Sequence, residues 1–85
     1  MRPLSELRVR TRAIACEPEL TEELIQIAST LSPSSALKCA QIAARAKGVD
    51  ASRRLALAKA TRWLAMIRRD YGDRAFKEVV AEIRA

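Results

Sequence analysis

Between residues 18 and 83 the apolar positions recur every three to four residues, the period that lays an apolar stripe along an α-helix. The first stripe is Leu20, Leu24, Ile27 and Leu31. Pro18 suits the first turn of this helix, and Glu17, Glu19, Glu22 and Glu23 crowd the positive end of its dipole. Ser32 followed by Pro33 predicts a stop and a restart, with serine as N-cap and proline in the first helical turn. The helix this opens, about 33–47, is apolar around most of its circumference through Ala36, Cys39, Ala40, Ile42, Ala43 and Ala46. Lys38, Gln41 and Arg45 form its polar stripe. Such a helix is predicted to be central and contacted by its neighbours.

Gly48 supplies a left-handed stop, and Asp50 caps another helix. This helix, about 51–71, carries Leu57, Ala60, Leu64, Ile67 and Tyr71 in its stripe, widened by Ala56 and Trp63. Arg54, Arg62 and Arg69 lie opposite, as the solvated face an amphipathic helix needs. Gly72 ends it, and Asp73 caps a last run with Phe76, Val79, Val80 and Ile83 on one face.

Residues 6–13 admit two readings. Leu7, Val9, Thr11 and Ala13 alternate with Arg8, Arg10 and Arg12, which is the period of a strand. Capped at Ser5, the same stretch places Leu7, Thr11 and Ile14 on one face of a helix. No second strand pattern occurs in the chain, so a strand here implies pairing with a second copy.

The expected fold is therefore all-α: one domain over residues 1–85, a compact bundle of four to five short helices preceded by a basic segment 1–16. Abundant alanine favours helices that approach closely. A domain of 85 residues buries only about 60–65% of its unfolded surface, so a homodimer that enlarges the core is expected. Cys16 and Cys39 read as two small core residues of a protein in the reducing cytoplasm. The arginine-rich start is not followed by a long apolar run, so it makes no secretory signal, although it also fits a mitochondrial-type presequence. The absence of histidine removes the usual zinc ligand sets and the commonest general base, so no metal or cofactor is expected. The longest apolar run, Trp63 to Ile67, is too short to span a membrane. No phosphate-cradling glycine loop or paired acid–base carboxylates stand out, so an enzyme is not expected.

Net charge sharpens this picture. The chain carries +6, with pI near 10.2. Residues 17–37 hold four glutamates and no base, whereas residues 38–69 hold nine Lys and Arg against Asp50 alone. A basic centre of this kind is the footprint of a protein that meets a polyanion.

The segment 42-IAARAKGVDASRRL-55 resembles the generic helix-turn-helix pattern, which would span about 36–62. It departs from the pattern by one extra residue before Gly48. Arg54 also falls where the family buries an apolar side chain, with Leu55 one step later. The resemblance implies a small DNA-binding transcriptional regulator of the repressor type, acting on double-stranded DNA as a homodimer. Ser52, Arg53 and Arg54 would open the recognition helix, with arginine reading guanine edges, while Lys47, Arg62 and Arg69 would meet phosphates. A second resemblance, to the ribbon–helix–helix family, rests on the alternating run 6–13, the helix at 18–31, the serine-rich turn and the helix at 33–47. It implies that Arg8, Arg10 and Arg12 enter the major groove from a paired strand. Its strand-to-helix linker is long for the family, and its turn lacks the usual glycine. The alternative class is a non-enzymatic inhibitor or adaptor of phage, plasmid or bacterial type that binds a host protein. The acidic 17–37 and basic 38–69 segments suit a complementary protein surface.

Overall fold

The computed structural model describes residues 2–85. In chain order it contains α1 (Leu4–Thr11), a 3-10 segment (Arg12–Cys16), α2 (Pro18–Thr30), α3 (Pro33–Ala46) and α4 (Ala51–Arg84). No strand occurs among the described residues.

The N-terminal ambiguity resolves as a helix. Leu7, Thr11 and Ile14 are completely buried, whereas Val9 remains 62% exposed. A helix satisfies its own backbone hydrogen bonds, while a lone strand would leave a row of them open. The paired-strand arrangement, and with it the ribbon–helix–helix reading, is overturned. The helix starts at Leu4 with Pro3 at its N-cap, so Ser5 lies inside the first turn instead of capping it.

In α2 the buried residues are Leu20, Thr21, Leu24, Ile25 and Ala28, while Ile27 and Leu31 are half-buried. The face is rotated from the predicted stripe because α2 packs against α3, α4 and the 3-10 segment together. Thr21 can be buried because its hydroxyl lies 3.1 Å from the carbonyl of Ile14 and 3.0 Å from that of Glu17. The junction to α3 is as expected: Ser32 is the N-cap, accepting from the Ser35 N–H, and Pro33 occupies the first turn. At the end of α2, Arg68 donates to the carbonyls of Ala28 and Leu31.

The corner between α3 and α4 closes by a Schellman motif. Val49 N–H bonds Ala44 O at 3.1 Å and Gly48 N–H bonds Arg45 O at 3.0 Å, around Gly48 at φ +79°. Asp50 then caps α4 by accepting from the Arg53 N–H at 3.0 Å. Pro33 and Ser34, at the start of α3, share a groove with Met66 and Arg69, while Ile42 and Arg45, near its end, share one with Ala51 and Leu55. The two helices thus run antiparallel along their length. Ala36, Ala40, Ala43 and Ala44 on α3, with Ala58, Thr61 and Ala65 on α4, are buried, and such small side chains permit this close approach.

Thirty-four residues of straight helix would measure about 51 Å, yet the longest dimension of the molecule is 32 Å. Gly72, at φ 90° and ψ 173°, breaks α4 and folds it back. The first arm, 51–71, packs on α3; the second, 73–84, buries Phe76, Val79, Val80 and Ile83. Arg8 to Glu82 and Arg84 to Glu22, both at 2.9 Å, tie the second arm to α1 and α2. Four helices and this break give the predicted all-helical bundle, and among the described residues no helix is long and apolar enough to cross a membrane.

Three side-chain expectations are corrected. Helix α3 is not surrounded, because among the described elements it packs on α2 and α4 only; Ile42 is 69% exposed and Ala46 is also on the surface. Ala56 is exposed instead of widening the α4 stripe. Cys16 is exposed and Cys39 only half-buried; both are free thiols.

Candidate functional site

The residues expected to read bases are engaged within the molecule. Ser52 donates to Asp50 at 2.9 Å as part of the α4 cap. The Arg53 guanidinium is bound to the Glu17 carboxylate, and this contact raises the Arg53 pKa further. Arg54 turns back to donate to the Val49 carbonyl at 3.1 Å, and its Nε is shielded from solvent without a hydrogen-bond partner. A recognition helix is presented to DNA by two helices crossing at about 90–120°. The antiparallel α3 and α4 instead close the corner at 47–50 into a hairpin. Lys47 is exposed on that corner.

Arg62 and Arg69 lie further along the same hairpin, sharing a groove of about 420 Å3 with Ser32, Ser34, Leu37 and Met66. Arg62 is half-buried, with its guanidinium 5.2 Å from the Trp63 ring. Arg69 pairs with Asp70 at 2.8 Å, which raises the arginine pKa and lowers that of the carboxylate.

The alternative set is not presented as one face: Arg8 and Arg10, two apart on α1, point in nearly opposite directions, and Arg12 lies in the 3-10 segment. Arg8 faces Glu82 at 2.9 Å and Glu78 at 3.9 Å. Arg10 pairs with Glu6 at 3.5 Å and lies over Trp63, with Arg2 on the same ring at 4.4 Å. Arg12 is exposed and forms no ion pair among the described residues.

What the fold brings together is a face that the sequence pattern divides between two helices. A groove of about 650 Å3 between α3 and the first turns of α4 is lined by Lys38, Gln41, Ile42, Arg45, Ala51, Arg54 and Leu55. Ile42 at 69% and Leu55 at 44% are two of the three large exposed aliphatics. On the α4 side the stripe continues from Leu55 through Lys59 to Arg62 and Met66, at helical spacing, into the second groove. From residue 24 to residue 69 the only carboxylate is Asp50, which is committed to the cap. Lys38, Arg45 and Lys59 are exposed on the hairpin, with Arg54 and Arg62 half-buried beside them, and none of the five forms an ion pair among the described residues. Lys38, Arg45 and Lys59 were not among the predicted site residues; the polar stripe Lys38, Gln41, Arg45 on α3 was the signal.

No family model, no curated protein and no solved structure matches this chain.

Proposed function

We propose that this chain is a non-enzymatic binding module that captures an anionic macromolecule on the outer face of the α3–α4 hairpin. The observation that carries this reading is the acid-free face itself. Lys38, Arg45 and Lys59 form no ion pair among the described residues, so their charge is available to a partner. Cations held this way attract a polyanion over a Debye length and release its counterions on contact.

Duplex DNA, with a role in transcriptional regulation, is one partner of this kind. Lys38, Arg45, Lys47 and Lys59 would then meet phosphates, which position a protein without reading sequence. Base reading by Ser52, Arg53 and Arg54 has less support, since all three side chains already have partners in the α4 cap, on Glu17 and on Val49. A repressor that reads an operator would need to release them. A homodimer built by apposing two such faces would set like charges together. Dimerisation therefore belongs on another surface or needs the anion between the copies. The two free thiols suit the expected reducing, cytoplasmic setting.

The test is binding to a labelled random-sequence duplex across a salt series, with light scattering on the same samples. We expect log K to fall linearly with log[salt], with a slope corresponding to about three or four phosphates. No binding at low salt by the folded protein would overturn the reading.

A further inference from the structure

We infer that the groove between α3 and the start of α4 receives an acidic amphipathic α-helix of a partner protein, a step that rests on the anionic-partner reading above. The groove combines two chemistries in one place. Ile42 on α3 and Leu55 on α4 stand on either side of it, far more exposed than aliphatics of the core, and Ala51 also lines it. Lys38 and Arg45 line the same groove with exposed cations, and long aliphatic stems of this kind extend an apolar surface, while the Arg54 guanidinium is turned back onto the Val49 carbonyl. An apolar strip rimmed by charge of one sign is the counterpart of a helix with aliphatic anchors at i, i+3 or i+4 and i+7 flanked by carboxylates. The channel between two antiparallel helices is also where a third helix packs ridge into groove.

Charge and shape decide among the occupants. A phosphate backbone has nothing apolar with which to cover Ile42 and Leu55. A second copy of this chain brings its acidic surface on α2, where beyond Pro18 the exposed residues are Glu19, Glu22, Glu23, Gln26 and Thr30. Of the large aliphatics of α2, Leu20, Leu24 and Ile25 are buried in its own core, and Ile27 is half-buried and packed against that core. That surface has the charge but not the anchors. Apposing two basic grooves fails on charge. A foreign helix carrying both carboxylates and aliphatic anchors satisfies both conditions.

The experiment uses the full chain with methyl-labelled Ile and Leu, titrated with a panel of blocked helical peptides of roughly 18 residues, about five turns. Each peptide carries leucines at i, i+3, i+4 and i+7 with glutamates on both flanks; a scrambled peptide of the same composition lacks the face. We expect saturable shifts centred on the Ile42 and Leu55 methyls, absent with the scrambled peptide. Binding should weaken by about tenfold or more in Ile42→Ser/Leu55→Ser, because two aliphatic anchors lose their cover. Both residues are exposed, so the variant stays folded, with a melting temperature that falls by no more than about 10 °C. Shifts that the scrambled peptide reproduces, or that survive the double substitution, overturn the inference. If no peptide binds but a duplex does so through Lys38, Arg45 and Lys59, the helix inference falls and nucleic acid remains as the partner. If neither binds through this face, both readings fall.

Discussion

The guanidinium of Arg68 donates to the carbonyl of Leu31 at 2.8 Å, and its Nε reaches Ala28 at 3.0 Å, so a side chain of α4 caps the C-terminus of α2. The last carbonyls of a helix lack intrahelical partners and carry the negative end of its dipole, which makes an arginine there doubly favourable. This contact joins the acidic helix to the basic hairpin across the core. Replacing Arg68 by methionine keeps much of the stem packing but removes both bonds, at about 2 kcal/mol. We expect a melting temperature lower by roughly 8–15 °C, with the amides of the α2–α3 junction exchanging faster. Arg69→Met, in which an exposed arginine loses a pair with its half-buried sequence neighbour Asp70, should change less.

The two glycines that shape the hairpin and the break in α4 should respond unequally to alanine. A Cβ at either position meets no atom within 4 Å, so the penalty comes from the backbone alone. Gly48 at φ +79° is near the left-handed helical region, and Gly48→Ala should cost about 1–2 kcal/mol, with asparagine tolerated better. Gly72 at φ 90° and ψ 173° occupies a region that is essentially glycine-only, so Gly72→Ala should cost more, about 2–3 kcal/mol. Chemical denaturation of both variants gives the order directly. Equal effects would contradict it.

Leu55 and Leu57 provide an internal contrast two residues apart on one helix. Leu57 is fully buried and Leu55 is 44% exposed. Leu57→Ala should destabilise by about 2–5 kcal/mol, whereas Leu55→Ala should stay within about 1 kcal/mol. Thermal melts of the pair would show whether Leu55 is spare apolar surface or part of the core.

Acid should weaken the fold through carboxylates that the native state holds ionised. The Arg53 backbone N–H and then the Ser52 hydroxyl hold Asp50 below its ordinary 3.8, and the hydrogen bond from Arg84 holds Glu22 below 4.5. Asp70 is lowered in the same way by Arg69. A group whose pKa is depressed by folding contributes stability above its unfolded value, and loses it as the pH falls through the folded value. Melting temperature should thus be level down to about pH 5 and decline below it. Asp50→Asn, which can still cap α4, should make that decline shallower. A decline of the same steepness would remove Asp50 from the explanation.

Much of the bundle was legible because its signals are local. Ser32-Pro33, Gly48 and Asp50 mark helix ends by the geometry of a few neighbouring residues, and each does what its chemistry requires. Residues 6–13 were not decidable that way, because Leu7 and Thr11 serve a period of two and a period of four equally well. Only the space beneath α1, which takes Leu7, Thr11 and Ile14 and leaves Val9 outside, settles the period. The binding face was hidden for a different reason. Ile42 reads as core on an alanine-rich helix, yet the buried residues of α3 are all alanines and Ile42 is left outside. Arg53 and Arg54 read as free charges until Glu17 and the Val49 carbonyl are brought to them from elsewhere in the fold. Arg68, adjacent to Arg69 in sequence, shows no local sign that it caps α2.

The most direct measurement compares two variants of identical net charge in binding to an anionic duplex at low salt. One is Lys38→Glu/Arg45→Glu/Lys59→Glu on the hairpin face, and the other is Arg12→Glu/Arg74→Glu/Lys77→Glu at exposed positions away from it. We expect the first to abolish binding and flatten its salt dependence, while the second retains most of the affinity. Equal losses in both would mean that the total charge of the molecule, and not the face of α3 and α4, attracts the anion.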